Sequence, residues 1–409
     1  MVEEYQNRRE KLAQFLPEHA CFVSFAGEAI LSTADEEYPF QIDYGFFYLT
    51  GIRQDQSILL MKKENGIVST SLYLTKYDAL KEIWHGIRLK KEEGQMISGI
   101  ETVLESEDFQ EDLQALLQAG YQICYDGESK AFVQDQRVIS FLSSLVEKSR
   151  LVNLGESLMH LRMVKSPFEI AQIKKAIHNT KLGLDQVLAS LQPGKYEYEI
   201  ANDFYHTIHA NGQAKLAFST ICASGKNAVI LHYPDAKDQM KDGYLLLCDL
   251  GSDWDEYKGD ISRTYPVNGK FSPRQRMVYE IVRRCNEAVL KYAKPGLTIY
   301  DLQNFVVDFF FEELKKIGLV SSREEVKKYY YHGVSHHLGL DTHDVSDRKL
   351  PLEEGNVISN EPGLYIAEWE IGVRIEDDIL ITKDGAINLS SEITKDPDEI
   401  ERMMKKAHE

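Results

Sequence analysis

The sequence predicts an α/β N-terminal domain over residues 1–155 and an α+β C-terminal domain over residues 160–409, the second built by internal duplication. Three observations predict this. A chain of 409 residues is longer than one hydrophobic core ordinarily organises, and its 43% hydrophobic and 27% charged residues are those of a globular protein. The first 155 residues mix short apolar runs with helix-period segments. The remainder writes one pattern twice: a Ser-Pro capping box, a helix stopped at Pro-Gly, a second helix, then strand-like segments carrying acidic residues.

The N-terminal elements follow from local pattern. Cys21–Phe25, Phe46–Thr50 and Ile58–Met61 are apolar runs of strand length, and residues 107–119 and 131–148 carry helical periodicity. No catalytic constellation stands out among them. After a boundary near 150–165, Ser166 N-caps a helix with Pro167 at its first position and Glu169 closing the capping box. Pro193-Gly194 stops that helix, and a second runs to about Ala210. Ser272-Pro273-Arg274-Gln275 repeats the start and Pro295-Gly296 repeats the stop. Thr298 then caps a helix to about Lys316. The charged stretch from Lys395 reads as a surface helix.

Composition narrows the function. A net charge of −18, from 47 basic and 65 acidic side chains, argues against nucleic acid or an anionic membrane as the main partner. No apolar run approaches membrane-spanning length. The start, Met1-Val2-Glu3-Glu4-Tyr5, lacks the basic and apolar regions of a secretory signal. The five cysteines (Cys21, Cys124, Cys222, Cys248, Cys285) are scattered and form no C-x-x-C. Neither a disulfide framework nor a thiolate metal site is expected, and the cytoplasm is the expected location.

The chemistry lies in the second half. Asp249 ends the run Tyr244–Cys248, and Asp260 opens Ile261–Tyr265. A turn-rich stretch lies between them, with its midpoint between Trp254 and Asp255. A symmetric hairpin makes the two aspartates cross-strand partners, with Cβ atoms roughly 5 Å apart. Glu361 and Glu376 repeat the arrangement about a midpoint between Glu368 and Trp369. Carboxylates this close repel unless a cation lies between them. His332, His336, His337 and His343 fall within twelve residues, and spacing alone does not choose among them. Four carboxylates and one imidazole are mostly hard ligands, suited to Mn²⁺, Co²⁺ or Mg²⁺. Bridging carboxylates suit two ions roughly 3.5–4 Å apart.

These residues sit in motifs that resemble a known family. They are Asp249 with Gly251, Gly259-Asp260-Ile261-Ser262-Arg263-Thr264, His332-Gly333-Val334-Ser335-His336, Glu361-Pro362-Gly363-Leu364-Tyr365 and Gly372-Val373-Arg374-Ile375-Glu376-Asp377. In order, they resemble the metallopeptidases of the pita-bread fold, the Xaa-Pro aminopeptidase (aminopeptidase P) subgroup first and prolidase next. Leu161–Ser166 resembles the opening of that family's catalytic domain. Tyr38-Pro39-Phe40 and Phe46–Gly51 resemble parts of its N-terminal domain.

The resemblance implies a creatinase/prolidase-like N-terminal domain, a pita-bread catalytic domain with pseudo-two-fold halves, and two divalent ions per subunit. Mn²⁺ comes first, with Co²⁺ or Zn²⁺ as alternatives. His336 is the implied imidazole ligand. Asp260 and Glu376 bridge the ions, Asp249 completes one shell, and Glu361 with His336 completes the other. Glu361 also serves as general base to a hydroxide shared by the ions. His232 stabilises the oxyanion, His343 and Arg374 orient the substrate, and His332 and Tyr365 are candidates to line the proline pocket, Tyr365 equally fitting the hairpin core. The implied partners are peptides beginning Xaa-Pro, and the implied assembly is a homodimer or higher homo-oligomer.

Some positions depart from the family pattern: His337 where an aromatic residue is usual, Ser346 where glycine is common, and Gln41–Gly45. Competing readings are a dipeptide-only prolidase, a creatinase-like hydrolase and an inactive peptide-binding module. The last two lose metal ligands, and this chain retains all five.

Overall fold

The computed structural model describes residues 2–127, 140, 142–144, 150–212 and 214–407. Contacts divide them into two compact units, Met1–Arg162 and Met163–Glu409. No helix among the described residues is long and apolar enough to cross a membrane.

The first unit contains α1 (Val2–Ala13), β1 (Ala20–Phe25), α2 (Tyr44–Thr50), β2 (Ile58–Glu64), β3 (Ile67–Leu74), α3 (Ala79–His85) and α4 (Lys91–Ser98). β4 (Thr102–Glu105), α5 (Phe109–Gln118), β5 (Gln122–Tyr125), β6 (Leu151–Asn153) and α6 (Gly155–Met163) follow. Its six strands form one mixed sheet in the order β4-β3-β2-β1-β5-β6. Cys21, Val23, Leu60 and Ile123 of the sheet pack with Phe109 and Leu113 of α5.

The structure corrects one expectation here. Phe46–Thr50 is not a strand but most of α2. Asp43 caps it, its Oδ1 accepting from the Phe46 N–H at 2.8 Å, and Gly51 ends it in the left-handed region at φ 70°. A run buried on every side lacks the polar alternation that separates helix from strand, so the caps decide. The helix expected over 131–148 lies, apart from residues 140 and 142–144, outside the described residues.

The second unit writes its plan twice. α7 (Pro167–Ser190) and α8 (Glu197–Ala210) precede β7 (Lys215–Leu216), β8 (Ile221–Ser224), β9 (Leu245–Leu250), β10 (Ser252–Trp254), β11 (Tyr257–Lys258) and β12 (Ile261–Pro266). α9 (Pro273–Tyr292) and α10 (Ile299–Lys316) precede β13 (Val357–Asn360), β14 (Gly363–Ile366), β15 (Ile371–Arg374), β16 (Asp377–Thr382) and β17 (Gly385–Asn388). α11 (Pro397–Ala407) follows. The capping boxes form at Ser166/Glu169 and Ser272/Gln275. The stops at Gly194 and Gly296 take φ of 94° and 88°, open to glycine at little steric cost. Each half supplies a three-stranded antiparallel sheet, β12-β9-β8 and β13-β16-β17.

Candidate metal centre

Each half carries its acids on a hairpin, and the two hairpins differ in register. In the first, Asp249 faces Ser262, Leu250 faces Ile261 and Trp254 faces Tyr257. The centre therefore lies between Asp255 and Glu256, one residue beyond the position expected from sequence symmetry. Both residues are in the left-handed region, at φ 57° and 70°, as in the two-residue turns whose twist suits a hairpin. Asp249 and Asp260 are thus diagonal neighbours, not direct partners. Because the offset is two residues, both side chains keep the same face. A Cβ at Gly251 would lie 2.2 Å from the Gly259 carbonyl, so the close crossing before the turn admits only glycine.

In the second hairpin, Gly363 faces Arg374 and Asn360 faces Asp377, which places Glu361 opposite Glu376 as symmetry predicts. The ladder breaks at this pair, next to Pro362, which has no N–H. The N–H groups of this pair point outward, as those of alternate pairs in an antiparallel ladder do. Glu361 donates to the Val334 carbonyl at 3.0 Å and Glu376 to the Ser262 carbonyl at 3.0 Å. These bonds tie the glutamates to the histidine-bearing loop and to the first hairpin.

All five expected ligands reach one cavity of about 600 Å³, whose wall also includes His232, His332, His343 and Arg374. Donor atoms of Asp260, His336 and Glu376 lie within 4.8 Å of one another. His336 Nε2 is 3.5 Å from both Asp260 Oδ2 and Glu361 Oε1. Its Nδ1 is 3.1 Å from the His337 carbonyl, which only accepts, so Nδ1 holds a proton and Nε2 faces the acids. The His343 ring stacks on His336 at 4.0 Å.

The electrostatics fit a cation. Burial, outweighing Arg374 and reinforced by Asp260, pushes Asp249 up to about 6. Burial pushes Glu361 up to about 7 against the pull of His336 and Arg374. Burial and then Asp260, Glu361 and Asp249 carry Glu376 well above the usual carboxylate range. Burial disfavours the His336 imidazolium, but Asp260 and Glu361 outweigh it and raise His336 to about 9. Asp249 Oδ1 is buried with no hydrogen-bond partner. Mutually repelling acids with an orphaned oxygen are what divalent ions relieve, so the residues present fit the group.

Arg374 holds this cluster from one side. Its Nε donates to Ser262 Oγ at 2.7 Å, Nη2 to Asp249 Oδ2 at 2.6 Å and Nη1 to Tyr365 Oη at 3.0 Å. Tyr365 lies 2.8 Å from His332 Nε2, and His332 Nδ1 lies 2.8 Å from the Gly333 carbonyl. His332 therefore donates through Nδ1 and accepts at Nε2. Burial, then Arg374, lowers it to about 3, so it is neutral. Tyr365 is not on the cavity wall. It is core, packed with Ile221, Ala223 and Leu247, and its hydroxyl reaches Arg374 and His332 from behind.

Sequence reasoning missed three residues that steer the ligands. Ser262 Oγ donates to Glu376 Oε2 at 2.7 Å. Ser359 Oγ accepts from the His336 N–H at 3.0 Å and donates to Glu361 Oε1 at 3.3 Å. Asp378 Oδ2 accepts the Asp260 N–H at 3.0 Å. Each lies two residues from a ligand on a strand, so period-two alternation was the available signal.

A buried, carboxylate-rich cluster on paired hairpins, opening on a cavity, is a site suited to divalent metal. A family model for metallopeptidase family M24 matches residues 171–383, and one for the aminopeptidase P N-terminal domain matches residues 5–125. The Xaa-Pro aminopeptidase of Escherichia coli (strain K12) is 33% identical, over 98% of this chain and 97% of its own length. That of Haemophilus influenzae is 31% identical, over 98% and 97%. The structure of aminopeptidase P from E. coli with the inhibitor Pro-Leu superposes with a TM-score of 0.92 at 31% identity, covering 100% of this chain and 99% of that one. The chain belongs to metallopeptidase family M24, with an aminopeptidase P N-terminal domain and a pita-bread catalytic domain. It is a metallo-exopeptidase that uses divalent metal.

Proposed function

We propose that this enzyme removes the N-terminal residue from peptides with proline in second position. It does so with two divalent ions, Mn²⁺ before Co²⁺ or Zn²⁺, held by Asp249, Asp260, His336, Glu361 and Glu376. The convergence of these five donors on one cavity carries the reading, and the names of the relatives support the substrate.

Bound ions supply Lewis acidity and a water that ionises near neutrality. Glu361 takes up and returns the proton. Its carboxylate lines the same cavity as the other four donors, within reach of a water held among them. His232, exposed on the wall, donates to the carbonyl oxygen as it gains charge, an interaction worth about 2.7–4 kcal/mol. His343 orients the peptide from its place on the His336 ring. Arg374 has all three nitrogens engaged and acts by holding Asp249 and, through Tyr365, the neutral His332. The His332 ring then offers a face to the proline side chain. An Xaa-Pro amide has no N–H and favours an extended preceding residue, so a pocket that needs no such donor accepts it.

A cytoplasmic location and a homodimer or higher assembly complete the proposal. Five buried free cysteines suit a reducing compartment. Leu80, Ile83, Trp84 and Ile87, between 73% and 85% exposed, offer an apolar surface to a second copy. The test is hydrolysis of Xaa-Pro peptides of graded length with metal content measured in parallel. Cleavage of Ala-Pro-Ala is expected. Cleavage of Ala-Pro alone makes the enzyme a prolidase, and no cleavage of either by metal-loaded protein overturns the reading.

A further inference from the structure

Behind the acids, on the side away from the cavity, a chain of buried polar groups ends on the backbone of the ligands themselves. At the break in the second hairpin, the Ile375 carbonyl stands opposite Pro362, which has no N–H to offer it, and the Asn360 carbonyl stands on the last rung before the break; these residues precede Glu376 and Glu361. The Asn286 side chain, fully buried on α9, meets both, with Nδ2 3.0 Å from the Asn360 carbonyl and 3.2 Å from that of Ile375. Asn360 answers by donating its Nδ2 to the Asn286 carbonyl at 2.9 Å. Lys395 Nζ donates to Asn286 Oδ1, which fixes the amide so that its N–H₂ faces the hairpin. The same Nζ lies 2.5 Å from Asp377 Oδ2.

Asp377 hands the chain to Arg263, which is also wholly buried. All five N–H donors of Arg263 are used. Nε meets the Thr394 carbonyl at 3.2 Å. Nη1 meets the carbonyls of Ser262 at 2.9 Å and Glu376 at 2.6 Å. Nη2 meets Asp377 Oδ1 at 2.7 Å and the Ile393 carbonyl at 2.9 Å. Ser262 is the residue whose hydroxyl bonds Glu376 Oε2. A guanidinium fork that spans both hairpins leaves little freedom in their separation.

We infer that Asn286, locked by Lys395, and Arg263 are positioning residues. They set where the Glu361 and Glu376 carboxylates stand relative to the first hairpin, and so the affinity of the centre for its ions. The inference rests on the metal-centre reading above. Outer groups that orient ligands typically change metal affinity about 10–100-fold when removed.

The test is Asn286→Asp. It keeps the shape and the Lys395 contact but replaces the N–H₂ donor with an acceptor facing two carbonyls. Mn²⁺ is titrated calorimetrically into chelator-treated protein, with thermal unfolding followed in the metal-free state. The expected result is a folded variant whose Mn²⁺ affinity falls about tenfold or more. A role confined to stability lowers the melting temperature and leaves the affinity of the folded protein unchanged, and that outcome overturns the inference. If Asn286→Asp does not fold, Arg263→Lys decides by the same measurement, since it keeps the charge but supplies three donors for five acceptors. Wild-type protein that binds no Mn²⁺, Co²⁺ or Zn²⁺ sinks the metal-centre reading instead.

Discussion

The two acidic hairpins do the same task with different geometry. The first turns through two left-handed residues, Asp255 and Glu256, and offers its aspartates as diagonal neighbours. The second turns through Ala367–Glu370 and offers its glutamates directly opposed, at a break in the ladder. The first leans on a charge, since Asp249 is gripped by Arg374 at 2.6 Å. In the second, the carboxylates take neutral donors, Ser262 and Ser359, while the backbone behind them is held by the Asn286 amide and the Arg263 guanidinium. A metal centre requires that the carboxylates share a face and a depth. It does not require that they share a rung, and parity of register secures the face in both hairpins.

Breaking the second hairpin should cost the most. Glu376→Ala removes a donor that no neighbour replaces, and a loss of several kcal/mol of transition-state stabilisation lowers kcat by about a thousandfold. Circular dichroism should stay native, and near-normal turnover at full metal occupancy would remove Glu376 from the centre.

Cutting the tie between the hairpins comes next. Arg374→Lys keeps the charge but not the fork to Ser262, Asp249 and Tyr365. A fall in kcat/KM of about 10–100-fold is expected, and a change in KM alone would mean Arg374 only binds substrate.

A third experiment separates the hairpins by proton affinity. In the metal-free protein, Glu361 sits at about 7, Asp249 at about 6 and the His336 imidazolium at about 9. Raised values mean that protons compete with metal. Mn²⁺ affinity should therefore fall as pH drops from 8 through 7 to 6, by up to about tenfold per unit for each proton displaced. Asp249→Asn should move the remaining loss of affinity to lower pH, since the Asp249 charge helps to raise Glu361. A calorimetric titration that is flat over this range would contradict the acid cluster.

The smallest effect concerns the turns. Glu256 and Glu370 both hold positive φ, at 70° and 52°. Glycine at either should stabilise the catalytic unit by about 0.5–1 kcal/mol, additively, since the sites belong to separate turns. Thermal unfolding reads this directly, and destabilisation at either position would show that the side chain matters more than its backbone.

How much of this was legible depended on the kind of signal. Helix starts at Ser166, Ser272 and Thr298 were readable because capping is decided within four residues. The register of the glutamate hairpin was readable from symmetry. That of the aspartate hairpin was not, because the conformation of Asp255 and Glu256 shifts the centre and neither is glycine. Phe46–Thr50 was misread as strand because a uniformly buried segment shows no periodicity. Sequence alone left Tyr365 between pocket wall and hairpin core, and it packs in the core.

The sequence alone determined which donors exist, which pairs share a strand face, and where helices begin. These are local properties, fixed by neighbours a few residues away. Tertiary structure decided which histidine nitrogen faces the acids, and that Ser262, Asn286 and Arg263 stand behind them. Those contacts join residues about 70 to 130 positions apart. Burial at such contacts raises the carboxyl pKa values that make the cluster receptive to metal, and desolvation of this kind exists only once the chain has closed around the site.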